Sequence, residues 1–146
     1  MKTILSTFTK GLLTVLLVVL IGSLTLFSCD TNELKIQQDF PFELKVMPVS
    51  KDIANGSTQE IRISIERANR FLGTQYFIRY FQFDGQGTLR YYDQPQYLPN
   101  DLYPLAAEQF RLYYTSQSTV SQSFDIWISD NFGNEKKLSF EFNSSN

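Results

Sequence analysis

The sequence contains no histidine, which removes the commonest general base, the commonest metal ligand and the usual switch near neutral pH. It contains one cysteine, Cys29. An internal disulfide and every paired-thiol metal or redox site are therefore excluded. Neither sign of charge dominates: 13 basic and 15 acidic side chains leave −2. No large positive field exists to recruit nucleic acid, so no direct nucleic-acid partner is expected. Nucleophile-elbow, phosphate-loop and dinucleotide fingerprints are also missing. What the chain has in quantity is aromatic surface, with 13 Phe and 8 Tyr among 146 residues. That length favours one domain with at most a small appendage.

The only charged residues among the first 28 are Lys2 and Lys10, and Gly11 to Phe27 is an uncharged, largely apolar run. A basic leader followed by an apolar run is the layout of a secretory signal. A transmembrane anchor, the alternative, usually needs about 20 apolar residues to cross a ~30 Å hydrocarbon layer. The run ends Leu26-Phe27-Ser28-Cys29, which resembles the lipobox of bacterial lipoproteins, with Phe27 bulkier than the usual residue there. The resemblance implies cleavage after Ser28 and a diacylglycerol thioether, with further acylation such as palmitate, on Cys29.

Residues 1–28 are thus expected to be a lipoprotein signal peptide, 29–39 a lipidated N-terminus and polar tether, and 40–146 the folded domain. Each buried methylene contributes about 0.8 kcal/mol, so one chain anchors marginally and two or three anchor durably. Without Lys2 and Lys10 the balance is 11 basic against 15 acidic groups, or −4. An acidic body is repelled slightly by an anionic membrane, so the lipid must do the holding. Extended, Asp30–Asp39 reaches at most about 33–36 Å. The expected location is the bacterial cell envelope, at either the inner or the outer membrane. No cofactor is expected beyond the covalent lipid.

From Phe40 onward the hydropathy alternates with a period of two. Phe42, Leu44 and Val46 oppose Glu43 and Lys45; Ile61, Ile63 and Ile65 oppose Glu60, Arg62, Ser64 and Glu66. Gln75–Phe83 is apolar or aromatic on both faces, which predicts a central strand. Asp84-Gly-Gln-Gly87 predicts a hairpin into a strand at Thr88–Tyr92. Residues 93–104 carry Pro95, Pro99 and Pro104 and predict a long loop, and Leu105–Glu108 is compatible with one helical turn. Further strands are predicted at Gln109–Thr115, around Phe124–Ile128 and around Leu138–Phe142, the last two joined by a turn at Asp130–Asn134. About seven short antiparallel strands with few helical signals match an all-β, immunoglobulin-like β-sandwich. Pro99 and Tyr103 suggest a tyrosine corner, a recurrent feature of such sandwiches.

Paired carboxylates are the only plausible catalytic groups left: Asp84, Asp93, Asp101 and Glu108 lie in or near loops, where two could flank a glycosidic bond. Turn initiation and loop solvation account for them without catalysis. Asp130–Asn134 offers oxygen ligands but lacks the alternating acids and terminal Glu of a calcium loop, so a hairpin turn is expected and no metal site. The chain is expected not to be an enzyme. The candidate binding groups are aromatic: Tyr80, Tyr91, Tyr92, Tyr97 and Trp127, together with Tyr103 and Tyr113. Amphipathic aromatics give contact area at low entropic cost. They predict either core packing or a partner-binding patch, on a sheet built from the strands at 75–83, 88–92, 124–128 and 137–142 or at the long loop. A glycan-binding platform of Tyr92, Tyr97 and Trp127 is an alternative.

Five segments carry a family resemblance: Gln37-Gln-Asp-Phe-Pro-Phe42, Gly73-Thr-Gln-Tyr-Phe-Ile-Arg-Tyr-Phe-Gln-Phe-Asp-Gly-Gln-Gly-Thr-Leu89, Leu98-Pro-Asn-Asp101, Phe110-Arg-Leu-Tyr-Tyr-Thr115 and Asp130-Asn-Phe-Gly133. Together they are similar to the TraQ-type lipoproteins of Bacteroides-type conjugative transposons, over essentially all of residues 29–142. The resemblance implies an immunoglobulin-like envelope lipoprotein, a non-enzymatic accessory of a conjugative, type IV secretion-like DNA transfer apparatus. It implies protein partners within that machinery. It carries over no catalytic or binding residue; only Cys29 takes a defined role.

Overall fold

The computed structural model describes residues 41–68 and 72–145; Cys29, the signal segment and the tether lie outside them. Among the described residues there are nine strands and no helix. They are β1 (Phe42–Val46), β2 (Asp52–Ile53), β3 (Thr58–Arg67), β4 (Tyr76–Asp84), β5 (Gly87–Tyr91), β6 (Tyr103–Leu105), β7 (Gln109–Ser116), β8 (Gln122–Asp130) and β9 (Glu135–Ser144). One sheet runs β1-β3-β7-β5 and the other β2-β9-β8-β4-β6. All pairings are antiparallel except β2 with β9. The protein is an all-β sandwich.

Alternation in the sequence translates directly into the core. Ile61, Ile63 and Ile65 of β3 are buried, as are Phe110, Leu112 and Tyr114 of β7. From the facing sheet come Ile78, Phe124, Ile126, Ile128, Phe140 and Phe142. The two layers meet through aromatic stacking: the Tyr114 ring lies 4.3 Å from Phe124 and 5.6 Å from Phe142, centroid to centroid. Offset ring pairs of this kind add about 0.5–1.5 kcal/mol beyond area burial. β4 lies between β8 and β6, pairing with β8 over Tyr76–Asp84 and with β6 only over Tyr76–Ile78. Its inward residues are buried, while outward Phe77 and Phe81 are half-buried and Phe83 is exposed.

Three local expectations are corrected. Asp84–Gly87 does not make a hairpin: β4 and β5 belong to different sheets, so the segment crosses between layers. Gly85 at φ 67° supplies the left-handed residue. The strand at 87–91 therefore leaves the sheet that was to hold the aromatic patch. The loop from residue 93 ends earlier than its prolines suggest. Tyr103–Leu105 pairs with Tyr76–Ile78, setting Pro104 opposite Phe77. Proline is tolerated there because β6 is an edge strand. Leu105 is a buried strand residue instead of the start of a helical turn. β2 was not foreseen at all, being only two residues long.

The Asp130 turn does join β8 to β9, and it consumes its own acid. Asp130 Oδ1 accepts hydrogen bonds from the backbone N–H groups of Phe132 and Asn134, each at 2.9 Å. Its Oδ2 accepts one from the Asn134 side-chain amide at 2.9 Å. No cluster of three acidic, thiol or imidazole ligands occurs among the described residues.

Candidate interaction surface

The aromatic residues singled out above divide between the core and two opposite faces. Tyr80 and Tyr97 are 3% and 8% exposed. Burial pushes the Tyr80 phenol up to about 12, with the neighbouring Tyr114 adding to the shift. Burial likewise raises Tyr97, followed by Tyr91 and Tyr103. Tyr97 stacks on Tyr103 at 4.4 Å, and its N–H donates to the Leu89 carbonyl at 2.7 Å. The Tyr103 hydroxyl accepts the Leu98 N–H at 2.9 Å, the backbone contact of a tyrosine corner. These tyrosines hold the 92–102 loop against the body and offer no free ring to a partner.

Tyr91 is half-buried against Phe110, 6.1 Å between ring centroids, and meets Tyr92 edge-on at 4.8 Å. Tyr92 itself is exposed and takes φ 45°, unusual for a non-glycine residue. Trp127 points outward from the other sheet, where the Arg79 guanidinium sits 4.3 Å above its ring. Phe77, Phe81 and Phe83 of β4 share that outer face, and Phe81 meets Phe83 edge-on at 4.9 Å. Tyr92, Tyr97 and Trp127 thus do not share a face, and the structure does not assemble them into one stacking platform. The acids are dispersed too. Glu108 pairs with Arg67, and Asp84 accepts a hydrogen bond from Ser123 at 2.8 Å.

The outer face of β3, β7 and β5 carries a different cluster. Strand register sets Arg62 directly across from Arg111, and places Glu60, Tyr113 and Arg90 in one row. Glu60 hydrogen-bonds Arg62, and its other oxygen lies 3.6 Å from Arg111 and 3.4 Å from the Tyr113 hydroxyl. The Arg62 hydrogen bond chiefly holds the Glu60 carboxyl below its ordinary value, against a smaller opposing effect of burial. The Tyr113 hydrogen bond and then the Glu60 charge raise Arg111 further. The Arg90 guanidinium stands 5.9 Å from the Tyr113 ring centre. Like charges directly opposite on a sheet repel; Glu60 offsets this by bridging Arg62 and Arg111, one through each carboxylate oxygen.

Sequence reasoning missed this cluster. Each arginine sits at an outward position of an alternating strand, but the three strands are far apart in sequence and only register joins them. A groove of about 720 Å³ lies elsewhere, lined by Met47, Pro48, Val49, Leu138 and Phe140 among others.

Residues 12–145 match the family of the TraQ conjugal transfer protein. No curated protein matches the chain. Three solved structures resemble it closely. A conjugative transposon lipoprotein from Bacteroides eggerthii is 44% identical over 72% of this chain and 99% of its own, with a TM-score of 0.67. A lipoprotein from Bacteroides thetaiotaomicron is 52% identical over 77% and 86%, with a TM-score of 0.67. A conjugate transposon protein from Bacteroides vulgatus is 47% identical over 77% and 92%, with a TM-score of 0.65. The match spans nearly the whole chain and the same sandwich recurs at high identity, so this protein belongs to the TraQ conjugal transfer protein family.

Proposed function

We propose that the protein is a lipid-anchored, non-enzymatic accessory of a conjugative-transposon DNA transfer apparatus, working by contact with other envelope proteins. Family membership carries the reading. Three features support it. The sequence pattern ending at Cys29 provides a membrane attachment. Asp130, Glu108 and Asp84 are engaged in a turn, an ion pair and a cross-strand hydrogen bond, and Tyr80 and Tyr97 in core packing. The sandwich presents two broad outer sheet faces, one rich in phenylalanine and one in arginine. Tethering by fatty chains keeps such a domain at the envelope, where modest affinities suffice because the effective concentration of neighbouring machinery is high.

The test is genetic and chemical. Deleting the gene in the donor should sharply lower transfer frequency, and supplying the wild-type chain should restore it. A Cys29→Ala chain should take up no fatty-acid label and should fail to restore transfer. Unchanged transfer after deletion would refute the accessory role. Full activity of unlabelled Cys29→Ala would refute the anchor.

A further inference from the structure

We infer that the outer face of β3, β7 and β5 is a docking site for an acidic polypeptide segment. This names the chemistry of the partner and rests on the docking role proposed above.

Three exposed arginines, Arg62, Arg90 and Arg111, share that face, and Glu60 is the one carboxylate paired with them among the described residues. The other ion pairs of the described residues match one base with one acid: Lys45 with Glu66, Arg67 with Glu108, Arg79 with Glu135, Lys136 with Glu43 and Lys137 with Asp125. The arginine face is thus a local cationic excess on a body whose overall charge is negative. Guanidinium forks bind carboxylates in bidentate fashion, and Glu60 alone, shared between Arg62 and Arg111, leaves donors of the three arginines available to a partner's acids. Tyr113 and Tyr92 flank the arginines and add the amphipathic contact surface common at protein interfaces.

The same features disfavour a uniform polyanion. Glu60 keeps its charge at the middle of the face, so a phosphate backbone or an anionic bilayer meets repulsion at its centre. A polypeptide can place its acids over the arginines and a hydroxyl or base over Glu60. Neutralising about three phosphates also gives nucleic acid little affinity at physiological salt, less still on an acidic protein.

The full-length lipoprotein, held in phosphatidylcholine nanodiscs, can be titrated against a short fluorescein-labelled peptide of alternating glutamate and serine. A labelled oligothymidylate of the same length serves for comparison. The peptide should bind, and Arg62→Gln combined with Arg111→Gln should weaken it by about tenfold or more, since two charge-assisted contacts are lost. Both side chains are about half exposed, at 51% and 45%, so the double variant should keep its circular dichroism and melting temperature. Glu60→Gln should bring oligothymidylate affinity closer to that of the peptide.

The inference is overturned by no peptide binding, by binding indifferent to the double variant, or by tighter binding of oligothymidylate. It is also overturned if phosphatidylglycerol nanodiscs abolish peptide binding, because lipid would then be the occupant. A double variant that loses the peptide yet supports undiminished transfer overturns the docking site and leaves the accessory role standing. Undiminished transfer after gene deletion does the reverse.

Discussion

Gly87 sits at the first position of β5, where a side chain would have nowhere to go. A Cβ built there falls 2.2 Å from the Tyr114 Oη, 2.3 Å from its Cζ and 2.6 Å from its Cε2. Comfortable contacts between carbon atoms lie at about 3.5–4.0 Å, so the ring must retreat by more than an ångström. Tyr114 is fully buried and stacked on Phe124. Its hydroxyl donates to Gln122 Oε1 at 2.7 Å and accepts from Gln82 Nε2 at 3.0 Å. Overpacking a rigid site costs about 1–3 kcal/mol. Displacing the hydroxyl leaves buried polar partners unpaired at about 1–3 kcal/mol more. Gly87→Ala should therefore destabilise the fold by about 2–6 kcal/mol, a large fraction of the roughly 5–15 kcal/mol typical of a domain. Urea unfolding followed by the emission of Trp127, the only tryptophan, gives the number directly. Adding Gly87→Ala to Tyr114→Leu should cost far less than adding it to the wild type, because the obstructing ring is gone. A loss below about 0.5 kcal/mol, or strict additivity of the two substitutions, would refute the steric reasoning.

Asp130→Ala removes the acceptor for the Phe132 and Asn134 amides and should cost about 1–3 kcal/mol in the same unfolding assay; Asp130→Asn, which keeps an oxygen, should recover part of it. Tyr103→Phe deletes the acceptor of the Leu98 N–H; a loss of about 1 kcal/mol and faster amide hydrogen exchange across 97–102 are expected, and unchanged exchange there would show that the loop is held otherwise. Alkaline stability follows from Tyr80, whose phenol is raised from 10 to about 12 by burial. Below pH 10 it is neutral in folded and unfolded chains alike; above that the unfolded chain ionises first, so stability falls as pH rises toward 12, this one group's share being about 3 kcal/mol. The raised Tyr97 acts in the same direction. Urea midpoints by circular dichroism between pH 9 and 12 should drop, and the drop should shrink in Tyr80→Phe; an identical slope in the variant would contradict the assignment.

The legible part of this protein was whatever depends on local alternation. Ile61, Ile63 and Ile65 declared a half-buried strand because a pleated backbone turns successive side chains to opposite faces. The Asp130 turn was readable because its acid bonds amides two and four residues away. β6 escaped because its pairing with β4, and hence its tolerance of Pro104, depends on a strand distant in sequence.

The sequence by itself determined the sandwich class, the absence of histidine and disulfide chemistry and the lipobox-like pattern at Cys29, since each is a matter of composition or of residues close together in the chain. Tertiary structure alone decided which aromatic rings are core and which are surface: Tyr80 and Tyr97 went inside, while Tyr92 and Trp127 came to opposite faces. It alone brought Arg62, Arg90 and Arg111 onto one sheet. The reason is physical: the chain's own alternation says that a side chain points in or out, but only inter-strand register, fixed by hydrogen bonds between distant segments, says what stands beside it.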